Sequence, residues 1–257
     1  MQVRHPSCNS LSSGGQKFLM CEEDGTAVAD LHERWVAERH NEYYYKLAKK
    51  MDYRSRASFK LLQIDDRYHI FRPGDAVVDL GACPGGWSQV ALERVGEKGK
   101  VIGVDLRWIH PLEGVEFIIG DITEDSTMLR LLDMVGGKVD VVLSDMAPNI
   151  TGQYSMDHAR SIELCDYAVD VCDRILKVRG KMVMKVFMGD MFDQLERTLR
   201  DRFERVRVHS PEASRPTSAE VYVVCTGFLG KHNVALKPLV KAPEKPQPEF
   251  TAKGGNI

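Results

Sequence analysis

No Cys-x-x-Cys pair occurs among the six cysteines, Cys8, Cys21, Cys83, Cys165, Cys172 and Cys225. A zinc site would therefore lack its paired ligands, and a disulfide framework does not suit so few thiols in 257 residues. Cys165 and Cys172 fall one heptad apart in a helical pattern, where thiols are commonly buried. No apolar run approaches the roughly 18 residues that a membrane-spanning helix needs. The N-terminal stretch MQVRHPSCNSLSSGGQKF has no apolar core of a signal peptide. The expectation is a reducing, cytoplasmic setting with no membrane contact. Excess charge of either sign is also missing: 35 Lys+Arg stand against 37 Asp+Glu, a net of −2. That balance argues against coating nucleic acid through bulk positive charge, but not against a local basic face.

No internal repeat is present. Residues 1–31 are polar and rich in Ser and Gly, and read as a flexible extension. Residues 231–257 are dominated by Pro and Lys and read as a disordered tail. One domain over 32–230 is the economical division. Within it, short apolar runs alternate with helical patterns. Strands are predicted at Ala76–Ala82, Val101–Leu106, Val115–Gly120, Val139–Asp145, Met182–Phe187, Val206–His209 and Val221–Phe228. Helices are predicted at Gly86–Val95, Thr123–Val135, Met156–Leu176 and Met191–Phe203. Strands apolar on both faces, alternating with helices, imply an α/β fold with a mostly parallel, doubly wound sheet. The last two strands are joined by about ten residues without a helix, too little for a parallel crossover. The last strand is therefore expected to run antiparallel.

In such sheets a ligand sits beyond the carboxyl ends of the strands. There lies Asp79-Leu-Gly-Ala-Cys-Pro-Gly-Gly-Trp87, whose Gly81, Gly85 and Gly86 let backbone approach a bound molecule. Asp105 ends the next strand, where an acid can accept ribose hydroxyls, and Asp121 ends the third. A nucleoside-containing cofactor is implied. The G-x-x-x-G-G spacing departs from the dinucleotide fingerprint G-x-G-x-x-G, which seats pyrophosphate on a helix N-terminus. S-adenosylmethionine carries no phosphate and needs no such cradle. A glycine turn that holds nothing is the plain alternative, and a strand-end Asp alone is often a turn residue.

Asp145 ends the fourth strand, Lys185 lies near the end of the fifth, and Glu220 precedes the last. If that strand is antiparallel, all three converge on one edge beside the cofactor. A lysine inside an apolar strand is costly unless paired, so an ion-pair cluster that merely fixes the sheet is the competing explanation. Residues 31–72 carry ten Lys+Arg against six acids, interleaved with Trp35, Tyr43, Tyr44, Tyr45, Tyr53 and Phe59. Basic charge with stackable rings suits an RNA face, although several of these rings could equally pack inward. Periodicity does not settle the direction of Lys60. Neutralising Arg34, Arg39, Lys49 and Lys50 is expected to weaken RNA binding.

YRSRASFKLLQID, VVDLGACPGGWSQVAL, GVDL, GDIT, VVLSDMAPNITG, the KVF strand and SRPTSAEVYVV occur here in the order found in the FtsJ/RrmJ (RlmE) family. The resemblance covers about residues 34–229, and YYYKLAKK looks like the archaeal members. It implies a Rossmann-like S-adenosylmethionine-dependent methyltransferase fold and 2′-O-methylation of a uridine ribose in 23S ribosomal RNA of the large subunit, with no obligate protein partner evident. It places the catalytic set on Lys60, Asp145, Lys185 and Glu220, with Lys185 as proton acceptor. It places cofactor contacts on Gly85, Trp87, Asp105, Asp121 and Asp145, and no metal. Cys83 stands where many members have alanine. Some archaeal relatives carry a further C-terminal RNA-binding domain, for which residues 231–257 are too short. Enzymes of the tRNA anticodon loop share the four catalytic residues and form the alternative, followed by a non-catalytic ribosome-assembly module. A nicotinamide oxidoreductase would share the sheet but not the loop spacing.

Overall fold

The computed structural model describes residues 42–214 and 219–230. The sequence-predicted extension at 1–31 and tail at 231–257 lie outside the described residues, as do Arg34, Trp35 and Arg39. Residues 42–50 form helix α1. After it come α2 (Ala57–Tyr68), β1 (Ala76–Leu80), α3 (Gly86–Val95), β2 (Lys100–Asp105), β3 (Val115–Ile119) and α4 (Asp125–Val135). The chain continues through β4 (Val139–Ser144), α5 (Tyr154–Ile175), β5 (Leu176–Phe187), α6 (Phe192–Arg200), β6 (Phe203–His209) and β7 (Glu220–Phe228).

The seven strands form one sheet in the order β3-β2-β1-β4-β5-β7-β6. The pairs among β1 to β5 are parallel, and β7 is antiparallel to both of its neighbours. Successive side chains of a strand point to opposite faces, and both faces are apolar here. Val77, Val101, Val141 and Val183 pack with Leu61 and Ile64 of α2 and Val90 of α3. Val78, Ile102, Val142, Met182 and Met184 pack with Leu131 of α4, Val169 of α5 and Leu195 of α6. Burying both faces in this way produces the doubly wound architecture.

Three boundaries differ from expectation by three residues or more: the start of β5, the end of α6 and the start of β6, at Phe203 instead of Val206. Strand β5 starts at Leu176, directly after α5, instead of at Met182. The run Leu-Lys-Val-Arg-Gly carries too much charge to read as a buried strand. It pairs irregularly, with a register shift between Val139 and Val141 and with Arg179 at a left-handed φ of 67°. Helix α6 ends at Arg200, because Phe203 is claimed by β6, where its ring meets Phe228.

Register decides what meets at the carboxyl edge. Ser144 lies opposite Met184, Lys185 opposite Tyr222 and Phe187 opposite Glu220. Helix α2, which carries Lys60, is anchored by buried Asp65. One oxygen of Asp65 accepts the N–H groups of Ile70 (2.8 Å) and Phe71 (3.1 Å), and the other meets Arg94 at 3.1 Å. Asp65→Ala would strand two backbone donors and is expected to cost about 3 kcal/mol. Asp65→Asn, which keeps an acceptor, should cost less. Urea unfolding midpoints of the three proteins check this, and equal midpoints would refute it.

Candidate active site

Four charged side chains and one phenol meet where α2, β4, β5 and β7 come together. Lys60 sits between the buried Phe59 and Leu61, so its stem is held by the packing of α2. Its Nζ donates to Glu220 Oε1 at 2.5 Å and to the Tyr222 hydroxyl at 3.2 Å. That hydroxyl lies 3.0 Å from Glu220 Oε1 and 3.2 Å from Asp145 Oδ1. It has one proton, so it serves one carboxylate at a time. Lys185 Nζ donates to the Asp145 carbonyl at 2.7 Å and lies 3.0 Å from Asp145 Oδ1. Lys185 is 9% exposed and Asp145 21%.

Burial alone would raise the Glu220 pKa. Lys60 beside it, helped by Lys185 and Tyr222, instead holds this carboxyl below its ordinary value. Burial, with Asp145 and Glu220 close by, pushes Tyr222 well above the ordinary phenol value, so it stays a neutral donor. The direction of Lys60, open in the sequence, is decided: it points into this cluster. Lys60, Asp145, Lys185 and Glu220 are therefore brought together. Tyr222 was not foreseen, although it shares a strand face with Glu220 two residues earlier.

Beside the cluster opens a cleft of about 470 Å³, bordered by Gly81, Cys83, Asp105, Asp121, Asp145 and Asn149. Gly81 has φ 76°, and a Cβ there would come within 2.9 Å of the Met146 backbone. Its bareness is what lets the ends of β1 and β4 close together. Asp105 accepts the Cys83 N–H (2.9 Å) on one oxygen and the Arg107 N–H (2.8 Å) on the other. Asp121 accepts both the N–H (2.9 Å) and the hydroxyl (2.7 Å) of Thr123. Both acids thus shape turns as well as facing the cleft. Gly85 and Trp87 do not border it. Arg54 lies over Gly85. The Trp87 indole is buried, donates to the Ala57 carbonyl at 2.9 Å and packs 5.6 Å from the Tyr222 ring. Its side chain braces the charged cluster from below.

Asp79 lies beneath the loop, fully buried. Its Oδ2 accepts the Ser88 hydroxyl at 2.6 Å, while Oδ1 has no partner. Burial, reinforced by Asp145 and Asp105, pushes its pKa from 3.8 up to about 7. Asp105, Asp121 and Asp145 line the cleft together with Arg107, while Asp79 is fully buried outside that lining. Such a lining repels pyrophosphate and suits a ligand with positive charge and hydroxyl groups. S-adenosylmethionine, with its sulfonium, ammonium and ribose, fits that lining, and a nicotinamide dinucleotide does not.

On the N-terminal side the aromatic residues divide. Tyr44 and Tyr53 pack against Phe59 at 5.4 and 5.5 Å. Tyr43 and Tyr45 are 60% and 54% exposed, and Lys49 lies 4.6 Å over the Tyr45 ring. Only Tyr43 and Tyr45, among these, can offer a stacking face. Arg54 donates to the carbonyls of His110 (2.5 Å) and Pro111 (2.7 Å), tying the segment after α1 to the loop after β2.

The raised Asp79 pKa has a sign. Between 3.8 and about 7 the native state holds a proton that the unfolded chain has lost, so stability falls as pH rises through that window. Asp79→Asn, which cannot ionise, is expected to gain on the parent protein as pH rises. Denaturant midpoints of both proteins at about pH 5 and about pH 8 measure this. A constant difference between the two would contradict it.

Comparison with known proteins agrees with this geometry. Residues 53–228 match the family described as FtsJ-like methyltransferase. The chain is 54% identical over 195 residues to the ribosomal RNA large subunit methyltransferase E of Methanosarcina barkeri, covering 76% of this chain and 73% of that one. It is 48% identical over 204 residues to the protein of the same name from Methanocaldococcus jannaschii, covering 77% and 83%. Among solved structures, a Plasmodium falciparum protein described as a ribosomal RNA methyltransferase is 33% identical. It superposes with a TM-score of 0.65 over 70% of this chain and 100% of its own. The chain belongs to the FtsJ-like methyltransferase family.

Proposed function

We propose that this protein methylates the 2′-hydroxyl of a uridine ribose in 23S ribosomal RNA of the large ribosomal subunit, using S-adenosylmethionine. The observation that carries the reading is the pairing of Lys185 with Asp145 at the rim of an acid-lined cleft. The relatives named as large-subunit ribosomal RNA methyltransferases support the choice of RNA. No described helix is long and apolar enough to cross a membrane, and it is the ribosomal RNA substrate that places the proposed activity in the cytoplasm.

S-adenosylmethionine, when bound, supplies an electrophilic methyl group on a sulfonium. The residues bordering the cleft would hold it: Asp105 on the ribose hydroxyls, Asp121 near the base, and Asp145 close to the sulfonium. The resemblance also assigns Gly85 and Trp87 to it, although neither borders the cleft and the Trp87 side chain is committed to the core. Asp145 thereby faces the cofactor and also holds Lys185. The two contacts from Lys185 Nζ to Asp145, at its carbonyl (2.7 Å) and at Oδ1 (3.0 Å), fix the nitrogen at the rim of the cleft. A ribose hydroxyl brought to that nitrogen, once it has released a proton of its own to solvent, can give up its proton there as the oxygen attacks in line. Lys185 is accordingly assigned as proton acceptor. Lys60 and Glu220 orient the substrate, and the Tyr222 hydroxyl keeps the two pairs in register.

Lys185→Ala should abolish methyl transfer, by about two orders of magnitude or more, while cofactor affinity stays near the parent value. Calorimetric titration with S-adenosylmethionine beside transfer of labelled methyl to under-methylated large subunits measures both. Loss of both properties, or of neither, would sink the assignment. Offering free 23S RNA and tRNA in parallel, then mapping the modified ribose, tests the substrate. Preferential methylation of tRNA would move the reading to the anticodon-loop enzymes.

A further inference from the structure

Strand β4, which ends just before Asp145, and strand β5, which bears Lys185, run on into the segments 145–153 and 188–191, and these segments with the start of α5 present apolar side chains to water. Ile150, Tyr154, Met188 and Met191 are 69%, 60%, 39% and 40% exposed. The two segments are fastened to each other. The Tyr154 hydroxyl donates to the Met188 carbonyl at 3.0 Å. The Met191 N–H donates to His158 Nε2 at 3.1 Å. His158 is buried, and its imidazole lies nearly parallel to the Tyr154 ring, with 10° between planes and 6.1 Å between centroids. At Gly189 a Cβ would meet that imidazole at 2.7 Å, so the close approach of the second loop requires glycine.

Tyr154 is therefore fixed at its tip by Met188 and backed by His158, yet most of its surface is open. An exposed aromatic ring is ordinarily free to change rotamer, and ordering it on binding costs entropy. Here that ordering is already done by the protein itself. None of Ile150, Tyr154, Met188 and Met191 is charged, so the patch has nothing to offer a phosphate. What an immobilised apolar ring accepts readily is the face of an unpaired base. Its position is continuous with the methyl-transfer site. Met188 follows Lys185 by three residues, about 10 Å of strand. One ribose–base linkage and one step of an RNA strand can cover that span.

We propose that Tyr154 is a stacking platform for an unpaired RNA base at, or one nucleotide from, the ribose presented to Lys185, with Met188 and Met191 closing its edge. The proposal rests on the reading of the site as an RNA ribose methyltransferase. With the full chain and under-methylated large subunits, Tyr154→Ala should lower kcat/KM by about 10- to 100-fold, the range that base–aromatic stacking supplies. Affinity for S-adenosylmethionine and the melting temperature should hold. Tyr154→Trp, which restores a ring without the hydroxyl tie, should recover most of the loss.

Independently of any variant, a 23S fragment with 5-iodouridine at and beside the modified position should cross-link to Tyr154 of the unaltered protein on near-ultraviolet irradiation. Parent-like activity of Tyr154→Ala, a loss that Trp does not repair, or a cross-link at Tyr45 or Trp108 instead would overturn the platform. An unaltered protein that methylates no RNA would overturn the underlying reading and the platform with it. A fully active one indifferent to Tyr154 would overturn the platform alone.

Discussion

The buried hydroxyl of Tyr222 is the point on which the charged cluster turns. Two lysines and two carboxylates from four elements converge there, and none of them could be withdrawn from water without a partner. Lys60 pairs with Glu220 and Lys185 with Asp145. The phenol, kept neutral by its surroundings, lies within hydrogen-bonding distance of one carboxylate from each pair. Opposite charges balance within the cluster, so neither lysine ends up as an isolated buried ion. Trp87 supports the ring from beneath, which gives a packing role to the large aromatic in the helix directly after the glycine loop.

The cleft next to this cluster follows different electrostatics. Asp105, Asp121 and Asp145 border one small space, with Arg107 at 3.6 Å from Asp105 and Lys185 at 3.0 Å from Asp145. A group at the carboxyl edge of a parallel sheet normally gains from helix N-termini that attract anions. Here the acids reverse that preference and leave a place for positive charge. Behind it, burial first and then the nearby Asp145 and Asp105 raise the pKa of Asp79. A cationic cofactor suits this lining, and methyl donation uses a sulfonium whose sulfur leaves as a neutral thioether. Site and cofactor are thus matched by charge as well as by shape.

Much of this was legible in the chain before any coordinates. Alternation of apolar runs with helical patterns indicated the sheet, and the short link before Val221–Phe228 indicated its antiparallel strand. The order of motifs indicated the family. What escaped was whatever depends on contact across elements. The charge of Lys177 and Arg179 concealed the first half of β5, because an edge of a long strand can be paired yet solvated. Tyr222 read as one more β-forming residue. The resemblance assigns Trp87 to the cofactor, and no local pattern showed that its indole is spent on packing. The aromatic run 43–45 looked uniform, yet helical geometry sends Tyr44 inward and its two neighbours outward.

The near-neutral net charge illustrates the same division. As a total it is a property of composition, and composition sets only whether the chain coats polyanions indiscriminately. Where the acids and bases lie is a matter of register and packing. Residue types and their spacing determined by themselves that this chain builds a doubly wound sheet with a glycine loop at its carboxyl edge, because periodicity and turn chemistry are local. Only the tertiary structure decided that Lys60 turns inward, that Tyr222 joins the two pairs and that Tyr154 is held facing outward. Those outcomes depend on residues up to 162 positions apart arriving within hydrogen-bonding distance, and no local pattern encodes such a meeting.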